Sequence, residues 1–160
     1  MKHNPLIFYF TAFFVLVADQ LTKVWIRSNL AIGDTLCEWG VFRIIHIPPN
    51  TGAAFGIFRK YPLALAAFSA VSAVAVVVCA AYLWRRYPRL NTRLIQFVLG
   101  LVLGGTLGNL VDRLQSKLGG VTDFISISIW PSFNIADSAI VVGILVFIYY
   151  LLRLMHEGKI

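Results

Sequence analysis

The chain has 160 residues, of which 59% are hydrophobic and only 13% are charged. Soluble domains carry about 25% charged residues, so this composition and the mean hydropathy of +0.79 exclude a water-soluble globule. A net charge of +7 would favour nucleic-acid binding in a soluble protein. Here the basic residues cluster at the ends of apolar runs, which membrane topology explains better. We therefore predict one membrane domain over residues 1–160, with no nucleic-acid partner.

Four apolar segments indicate membrane-spanning helices. A span needs roughly 20 apolar residues to cross the hydrocarbon layer. Residues 61–84 meet this requirement outright as an uncharged stretch of 24 residues, and the third and fourth segments meet it with their flanking residues. The first segment meets it only if its polar residues lie near one end or face protein. The sequence predicts an all-α polytopic membrane protein with spans over about 6–27, 61–84, 94–112 and 135–155.

The first apolar segment also has features of a cleaved signal peptide, because Lys2 and His3 precede its apolar core. However, the apolar pattern continues past Asp19 and Lys23 to Ile26, and no small-x-small cleavage site is convincing. We interpret the segment as an uncleaved spanning helix.

Two connections between the spans are rich in strand-forming residues. Within the connection over about 28–60, Gly40–Ile47 alternates imperfectly and predicts a short strand or hairpin arm. Val121–Trp130 is a second strand-like run before the last span. The sequence therefore predicts a small extracytoplasmic β-rich subdomain beside the helices.

The basic residues predict the orientation of the chain in the membrane. The short connection between the second and third segments is strongly basic, and the positive-inside rule places it in the cytoplasm together with both termini. The connections over about 28–60 and 112–134 then lie outside. The bases of the cytoplasmic connection are Arg85, Arg86, Arg89 and Arg93.

Four of the seven acidic residues lie in or beside apolar segments: Asp19, Asp112, Asp123 and Asp137. An ionised carboxylate in hydrocarbon costs at least about 2.5–3.5 kcal/mol on insertion scales, so such residues are candidates for a functional site. With the predicted topology, all four converge at the outer membrane boundary.

Structural roles also fit some of these acids. Asp19 and Lys23 are spaced as an ion pair one helical turn apart. Asn134 and Asp137 have the spacing of an N-cap residue and an acid at N3. Asn109, Asp112 and Arg113 fit a polar helix end, with Arg113 as the cation beside Asp112.

A pair of the four carboxylates at a dry boundary can hydrolyse a peptide bond. Two close carboxylates cannot both ionise, so they share one proton, and the pair can activate water while polarising a carbonyl. Spacing alone does not choose which two acids form the pair. No H-E-x-x-H motif is present, and we expect neither a metal nor a cofactor.

A small proton-coupled carrier is the rival interpretation, because buried carboxylates suit it too. Carriers tend to place ionisable sites near the midplane of the membrane and to contain repeated halves. Here the acids lie at one face and no repeat is found. The hydrolytic interpretation is therefore favoured.

Five short motifs in chain order resemble the lipoprotein signal peptidase (signal peptidase II) family over essentially the whole chain. They are DQLTK from Asp19, NTGAAFG from Asn50, GNLVDR from Gly108, VTDF from Val121 and FNIADS from Phe133. The resemblance implies a membrane aspartyl protease of the bacterial inner membrane, with its active site at the extracytoplasmic face. The enzyme would cleave prolipoproteins on the amino side of a diacylglyceryl-modified cysteine.

The resemblance also implies roles for individual residues. The catalytic pair of the family matches Asp123 and Asp137. The substrate-binding and supporting positions match Asp19, Lys23, Asn50, Gly52, Asn109, Asp112, Arg113 and Asn134.

The family fold has four helices, an outer β-cradle and a short surface helix, which we expect within 52–61. We further expect a monomer in contact with membrane lipids and inhibition by globomycin.

Overall fold

The computed structural model describes residues 5–52 and 61–158. Within them the chain forms four long helices and one four-stranded antiparallel sheet. Short 3₁₀ turns cover Pro88–Leu90 and Ser116–Leu118. In chain order the elements are α1 (Leu6–Asn29), β1 (Thr35–Trp39), β2 (Phe42–Ile45), α2 (Pro62–Arg86), α3 (Arg93–Leu114), β3 (Ile125–Ile127), β4 (Trp130–Phe133) and α4 (Ile135–His156).

All four helices are long and apolar enough to cross a membrane. The shortest have 22 residues, which at 1.5 Å per residue span about 33 Å, against a hydrocarbon layer of about 30 Å. Their outward faces carry large exposed apolar side chains such as Leu63 and Phe68, as lipid contact requires. The predicted fold class, four spanning helices with a small β-rich part, is confirmed. The surface helix expected within 52–61 falls on residues 53–60, outside the described residues, and stays a prediction.

α3 is the central helix and packs against α1, α2 and α4. Glycines spaced four residues apart make the close approach of α1 possible. A Cβ atom on Gly100 would lie 2.7 Å from the Phe8 carbonyl oxygen, and one on Gly104 would lie 2.6 Å from that of Ala12. Gly108 continues the same face, where a Cβ atom would lie 2.6 Å from a carboxylate oxygen of Asp19. This glycine face therefore brings an acidic residue of α1 against α3.

The sheet has the strand order β1-β2-β3-β4, and each strand pairs with its neighbour in the chain. Phe42 pairs with Ile127, and Ile125 pairs with Phe133. The strand-like run Val121–Trp130 is not one strand: only its residues 125–127 form β3, because the chain reverses at Ser128, whose φ is +48°, before β4 begins. The β3–β4 hairpin therefore places the residues just before β3 beside those just after β4.

Candidate active site

Asp137 occupies the first turn of α4 and takes part in its cap. The Asn134 side chain accepts a hydrogen bond of 2.9 Å from the Asp137 backbone N–H, and Asp137 Oδ2 accepts one of 3.3 Å from the Asn134 backbone N–H. This is a capping box, as the spacing predicted. The cap fixes the carboxylate at the N-terminus of the helix, where a negative charge is favourable.

Asp123 lies two residues before β3 and is 2% exposed. Both of its carboxylate oxygens accept hydrogen bonds from asparagine side chains. Asn134 Nδ2 lies 2.7 Å from Oδ1, and Asn50 Nδ2 lies 3.1 Å from Oδ2. Asn50 is held in place by two backbone hydrogen bonds with Val121, of 2.7 and 2.9 Å. The structure thus brings three sequence-predicted residues together.

Asn109 connects the third helix to this group. Its Nδ2 donates a hydrogen bond of 2.7 Å to Asp137 Oδ1, and its Oδ1 accepts one of 3.2 Å from Asn134 Nδ2. Asn134 therefore contacts both candidate carboxylates and the asparagine of α3. The two aspartates belong to one continuous hydrogen-bond network.

The pKa of the Asp123 carboxyl group is raised from 3.8 to about 7, and burial is the largest cause of the rise. The nearby charge of Asp137 acts in the same direction. The hydrogen bonds from Asn50 and Asn134 and the positive charge of Lys23 act in the opposite direction and lower the pKa. Asp123 therefore titrates near neutral pH.

A second polar cluster lies deeper, between α1 and α3. Lys23 Nζ lies 2.8 Å from Asp19 Oδ2 and 3.4 Å from Asp112 Oδ2, and all three side chains are fully buried. Arg27 approaches Asp112 Oδ1 at 3.8 Å. The ion pair predicted from the spacing of Asp19 and Lys23 is present, and it also includes α3.

The sequence suggested that Arg113, as its chain neighbour, is the cation beside Asp112. The structure corrects this. Successive residues on a helix point in different directions, so the guanidinium of Arg113 reaches α2 instead and donates a hydrogen bond of 2.9 Å to Ser69 Oγ. The ion pairs of Asp112 are formed with Lys23 and Arg27. Arg113 still lines the cavity described next.

A cavity of about 710 Å³ opens beside the two aspartates. Its polar part includes most of the sequence-predicted site. Its other wall is apolar and combines the β3–β4 hairpin with the first two turns of α4. The polar lining is formed by Asn50, Gly52, Asn109, Arg113, Asp123, Ser132, Asp137 and Ser138, and the apolar lining includes Ile127, Trp130, Phe133, Ile140, Val141 and Val142.

Sequence reasoning assigned no role to four residues that the structure ties to the site. Gln20 Nε2 donates to Asp112 Oδ1 at 3.1 Å, and Arg27 donates to Thr122 Oγ1 at 2.7 Å. Ser69 is the partner of Arg113. Sequence signals existed for three of them. Gln20 and Thr122 lie inside the motifs DQLTK and VTDF, and Arg27 lies one turn beyond Lys23 on the same helix face.

Within residues 5–52 and 61–158, no group of three or more His, Cys, Asp or Glu side chains is arranged to hold a metal ion. The polar side chains that line the cavity carry carboxylate, carboxamide and hydroxyl groups and one guanidinium.

The fold and the cavity define a multi-pass membrane protein with two acidic side chains in a pocket at one end of its spans. A family model described as signal peptidase (SPase) II matches residues 11–153. A lipoprotein signal peptidase of Dehalococcoides mccartyi is 42% identical over 153 residues, which cover 96% of this chain and 93% of the relative. One of Moorella thermoacetica is 39% identical over 145 residues, which cover 91% and 92%.

A solved structure of a bacterial membrane enzyme, determined by the in meso method, has a TM-score of 0.80 and 31% identity to this chain. The match covers 94% of this chain and 90% of that enzyme. The chain therefore belongs to the signal peptidase II family and is a protease of that family.

Proposed function

We propose that this protein cleaves the signal peptide from diacylglyceryl-modified prolipoproteins, on the amino side of the lipid-modified cysteine. Asp123 and Asp137 form the catalytic pair and activate water for the attack on the peptide bond.

One observation supports the choice of this pair above all. Asp123 and Asp137 are the acids that line the cavity, and Asn134 donates to both. Asp19 and Asp112 are instead fully buried beside Lys23, away from the cavity lining. A carboxylate that cannot meet the substrate cannot take a proton from the attacking water.

The two aspartates have different environments, which suits a division of roles. The pKa of Asp123 is raised to about 7 by burial and by the charge of Asp137, so Asp123 holds the shared proton. Asp137 lies at the N-terminus of α4, a favourable place for a negative charge. It therefore acts as the general base, and Asp123 donates a hydrogen bond to the scissile carbonyl oxygen.

Hydrolysis then proceeds without a covalent enzyme intermediate. Water attacks the carbonyl carbon, its proton passes to Asp137, and the proton of Asp123 moves to the carbonyl oxygen to give a tetrahedral diol. When the C–N bond breaks, Asp137 returns its proton to the leaving amine and Asp123 recovers its own. Each aspartate therefore ends in its starting protonation state.

The apolar wall of the cavity suits a substrate that is itself embedded in the membrane. Val141 and Val142 are half exposed on α4, so the pocket is continuous with the lipid-facing surface of that helix. We infer that the signal helix and the diacylglyceryl chains contact this wall, so that the scissile bond lies at the depth of the aspartates. Arg113 and Asn50 then contact the substrate backbone from the polar side.

The orientation of the chain follows from its basic connection. Arg85, Arg86, Arg89 and Arg93 are all exposed on the α2–α3 connection or the adjoining helix ends, and the positive-inside rule assigns that side to the cytoplasm. Asp123 and Asp137 lie at the opposite ends of the spans, so we place the cavity at the extracytoplasmic face of the bacterial inner membrane.

Cleavage of a purified substrate tests this function. The detergent-solubilised protein is incubated with a prolipoprotein carrying a diacylglyceryl-cysteine and, as a matched control, with the same prolipoprotein lacking the lipid. Mass spectrometry should detect a mature fragment that begins at the modified cysteine, only from the lipidated substrate. Globomycin should inhibit this reaction. No cleavage, or cleavage at another bond, would exclude the proposed reaction.

A further inference from the structure

The two buried acids outside the cavity contact the backbone just before the two catalytic residues. Asp19 Oδ1 accepts a hydrogen bond of 2.9 Å from the N–H of Ala136, which precedes Asp137. Asp112 Oδ2 accepts one of 2.9 Å from the N–H of Thr122, the residue before the other catalytic aspartate. The residue before each catalytic aspartate is therefore held through its backbone N–H by a different buried carboxylate.

Lys23 joins these two anchoring carboxylates. Its ammonium group lies between Asp19 and Asp112 and also donates a hydrogen bond of 3.0 Å to Asn109 Oδ1. Because a lysine ammonium can only donate, it requires the oxygen of Asn109 to face it. The Nδ2 group of Asn109 is then directed to Asp137, which it contacts at 2.7 Å.

We propose that Lys23 is a positioning residue for catalysis. It holds Asp19 and Asp112 at a fixed separation and thereby sets the distance and orientation between the two catalytic carboxylates. We call Asp19, Lys23 and Asp112 the lysine clamp. This inference rests on the proposed function, because it presumes that the aspartates of the cavity carry out the reaction.

A plain intrahelical ion pair would involve Asp19 and Lys23 alone. The clamp instead connects α1 to α3 through Asp112, and α1 to the start of α4 through the Ala136 N–H. Gly108 leaves the space that the Asp19 carboxylate occupies against α3. The contacts therefore extend to every segment that carries a catalytic aspartate.

Loss of Lys23 should affect both stability and catalysis, and a test has to separate the two. Without the lysine, two buried carboxylates remain. Among the described residues, Arg27 then forms an ion pair with Asp112 at 3.8 Å, and none is formed with Asp19. Leaving a buried charge uncompensated is strongly destabilising. A second substitution, Asp19→Asn, removes the negative charge that Lys23 paired and leaves the Asp112 carboxylate with Arg27.

The experiment compares Lys23→Met, the double variant Lys23→Met/Asp19→Asn, and Arg153→Gln as the control. Arg153 forms an ion pair with Glu157 that has the same four-residue spacing and the same length, 2.8 Å, as the pair of Lys23 with Asp19. The Arg153 pair lies near the end of α4, where the arginine side chain is exposed. We measure Tm, kcat and KM with the lipidated prolipoprotein. Because a misplacement of about 1 Å costs on the order of 10²-fold in rate, Lys23→Met should lower kcat by about that factor with little change in KM.

The double variant decides between positioning and structural support. We expect its Tm to rise above that of Lys23→Met, because the charges balance again, while kcat stays low, because no group joins the two anchors. The control should retain wild-type kcat. If kcat of the double variant returns to the wild-type value along with Tm, Lys23 serves stability alone and the proposal is overturned.

The pH profile of the double variant provides a second readout. The charged groups facing Asp123 are Lys23 from α1, Arg113 from α3 and Asp137 from α4. Lys23 lowers the pKa of Asp123, so its removal should move the alkaline limb of kcat/KM to higher pH. A smaller folded fraction would scale the rate equally at every pH. An unmoved limb would therefore contradict the proposal.

Asp123→Asn, measured in the same assay, distinguishes a failure of the proposed function from a failure of the lysine clamp. If Asp123→Asn keeps wild-type turnover, the proposed function fails. If Asp123→Asn is inactive while the double clamp variant has wild-type kcat and pH profile, the function stands and the clamp alone fails.

Discussion

Asn134 Nδ2 lies 2.7 Å from Asp123 Oδ1, so the residue that caps α4 also holds the carboxylate that precedes β3. The same residue exchanges two hydrogen bonds with Asp137 in the capping box. The β3–β4 hairpin makes this possible, because it returns the chain to the level of Asp123 just before α4 begins. A local helix cap has thus become part of the network around both aspartates.

The substitution Asn134→Ala should therefore reduce stability and activity together. The loss of an N-cap lowers the free energy of unfolding by about 1 kcal/mol. In addition, Asp123 loses the side-chain donor that orients it, and the Asp137 backbone N–H loses its side-chain acceptor. We therefore expect kcat to fall by about 10²-fold, as for a misplaced catalytic group. Thermal unfolding and steady-state kinetics measure the two effects.

Thr92→Ala is the matched control for this substitution. Thr92 caps α3 by accepting a hydrogen bond from the Ile95 N–H, at the end of that helix away from the cavity. We expect a comparable loss of stability with unchanged kcat. Equal losses of kcat in both variants would mean that capping, and not contact with the aspartates, explains the result.

The pH dependence of activity should follow the protonation of Asp123. Because the pKa of Asp123 is raised to about 7, kcat/KM should fall as the pH rises through about 7, when the pair loses its shared proton. The apparent value belongs to the coupled pair. A rate that stays constant from pH 6 to about 9 would contradict a protonated carboxyl group in the mechanism.

The same shift has a consequence for stability. The pKa of Asp123 is 3.8 when unperturbed and about 7 in the folded protein, so the folded state binds the proton more tightly. The contribution of this group to the free energy of unfolding is therefore fully present below pH 3.8. It is lost progressively as the pH rises from 3.8 to about 7.

The substitution Asn50→Ala should move the alkaline limb to higher pH. The hydrogen bond from Asn50 lowers the pKa of Asp123. Without this bond, the pKa should rise further, because less opposes the effect of burial. Asn29→Ala is the control, because Asn29 donates a hydrogen bond to the Trp25 carbonyl on the exposed end of α1 and does not contact the cavity. A pH–rate profile of Asn50→Ala that coincides with the wild type would disprove this role of Asn50.

The substitution Gly108→Ala should impair catalysis more than its effect on packing explains. The added Cβ atom would lie 2.6 Å from Asp19 Oδ2 and would displace that carboxylate from Lys23. Gly100→Ala, whose Cβ atom would meet α1 at the Phe8 carbonyl instead, is the control. Both variants should lower Tm, and only Gly108→Ala should also shift the pH–rate profile. Identical profiles would argue against a link between Asp19 and the reaction.

The sequence predicted the parts of this molecule that depend on local pattern. The four spans follow from hydropathy, and the capping box follows from the spacing of Asn134 and Asp137. These features need only the geometry of a single helix.

Contacts between distant elements were beyond such reasoning. The hydrogen bonds of Asp112 to the Thr122 N–H and of Asp19 to the Ala136 N–H involve backbone groups, which carry no signature in side-chain identity. The partner of Arg113 was missed because a serine in an apolar helix gives no sign of which helix faces it. The choice of Asp123 and Asp137 came from the family resemblance, since spacing left all four acids possible.

The proposed catalytic role of the two aspartates is tested most directly by binding and cleavage measurements on Asp123→Asn and Asp137→Asn. Asp34→Asn serves as the control, because Asp34 is exposed and its side chain accepts a hydrogen bond from the Ala31 N–H in a turn. Folding is checked by thermal unfolding, and binding by the affinity for the lipidated prolipoprotein. We predict that both variants fold and bind the substrate, that neither releases the signal peptide, and that Asp34→Asn cleaves at the wild-type rate. Substantial cleavage by either aspartate variant would contradict the assignment of the pair.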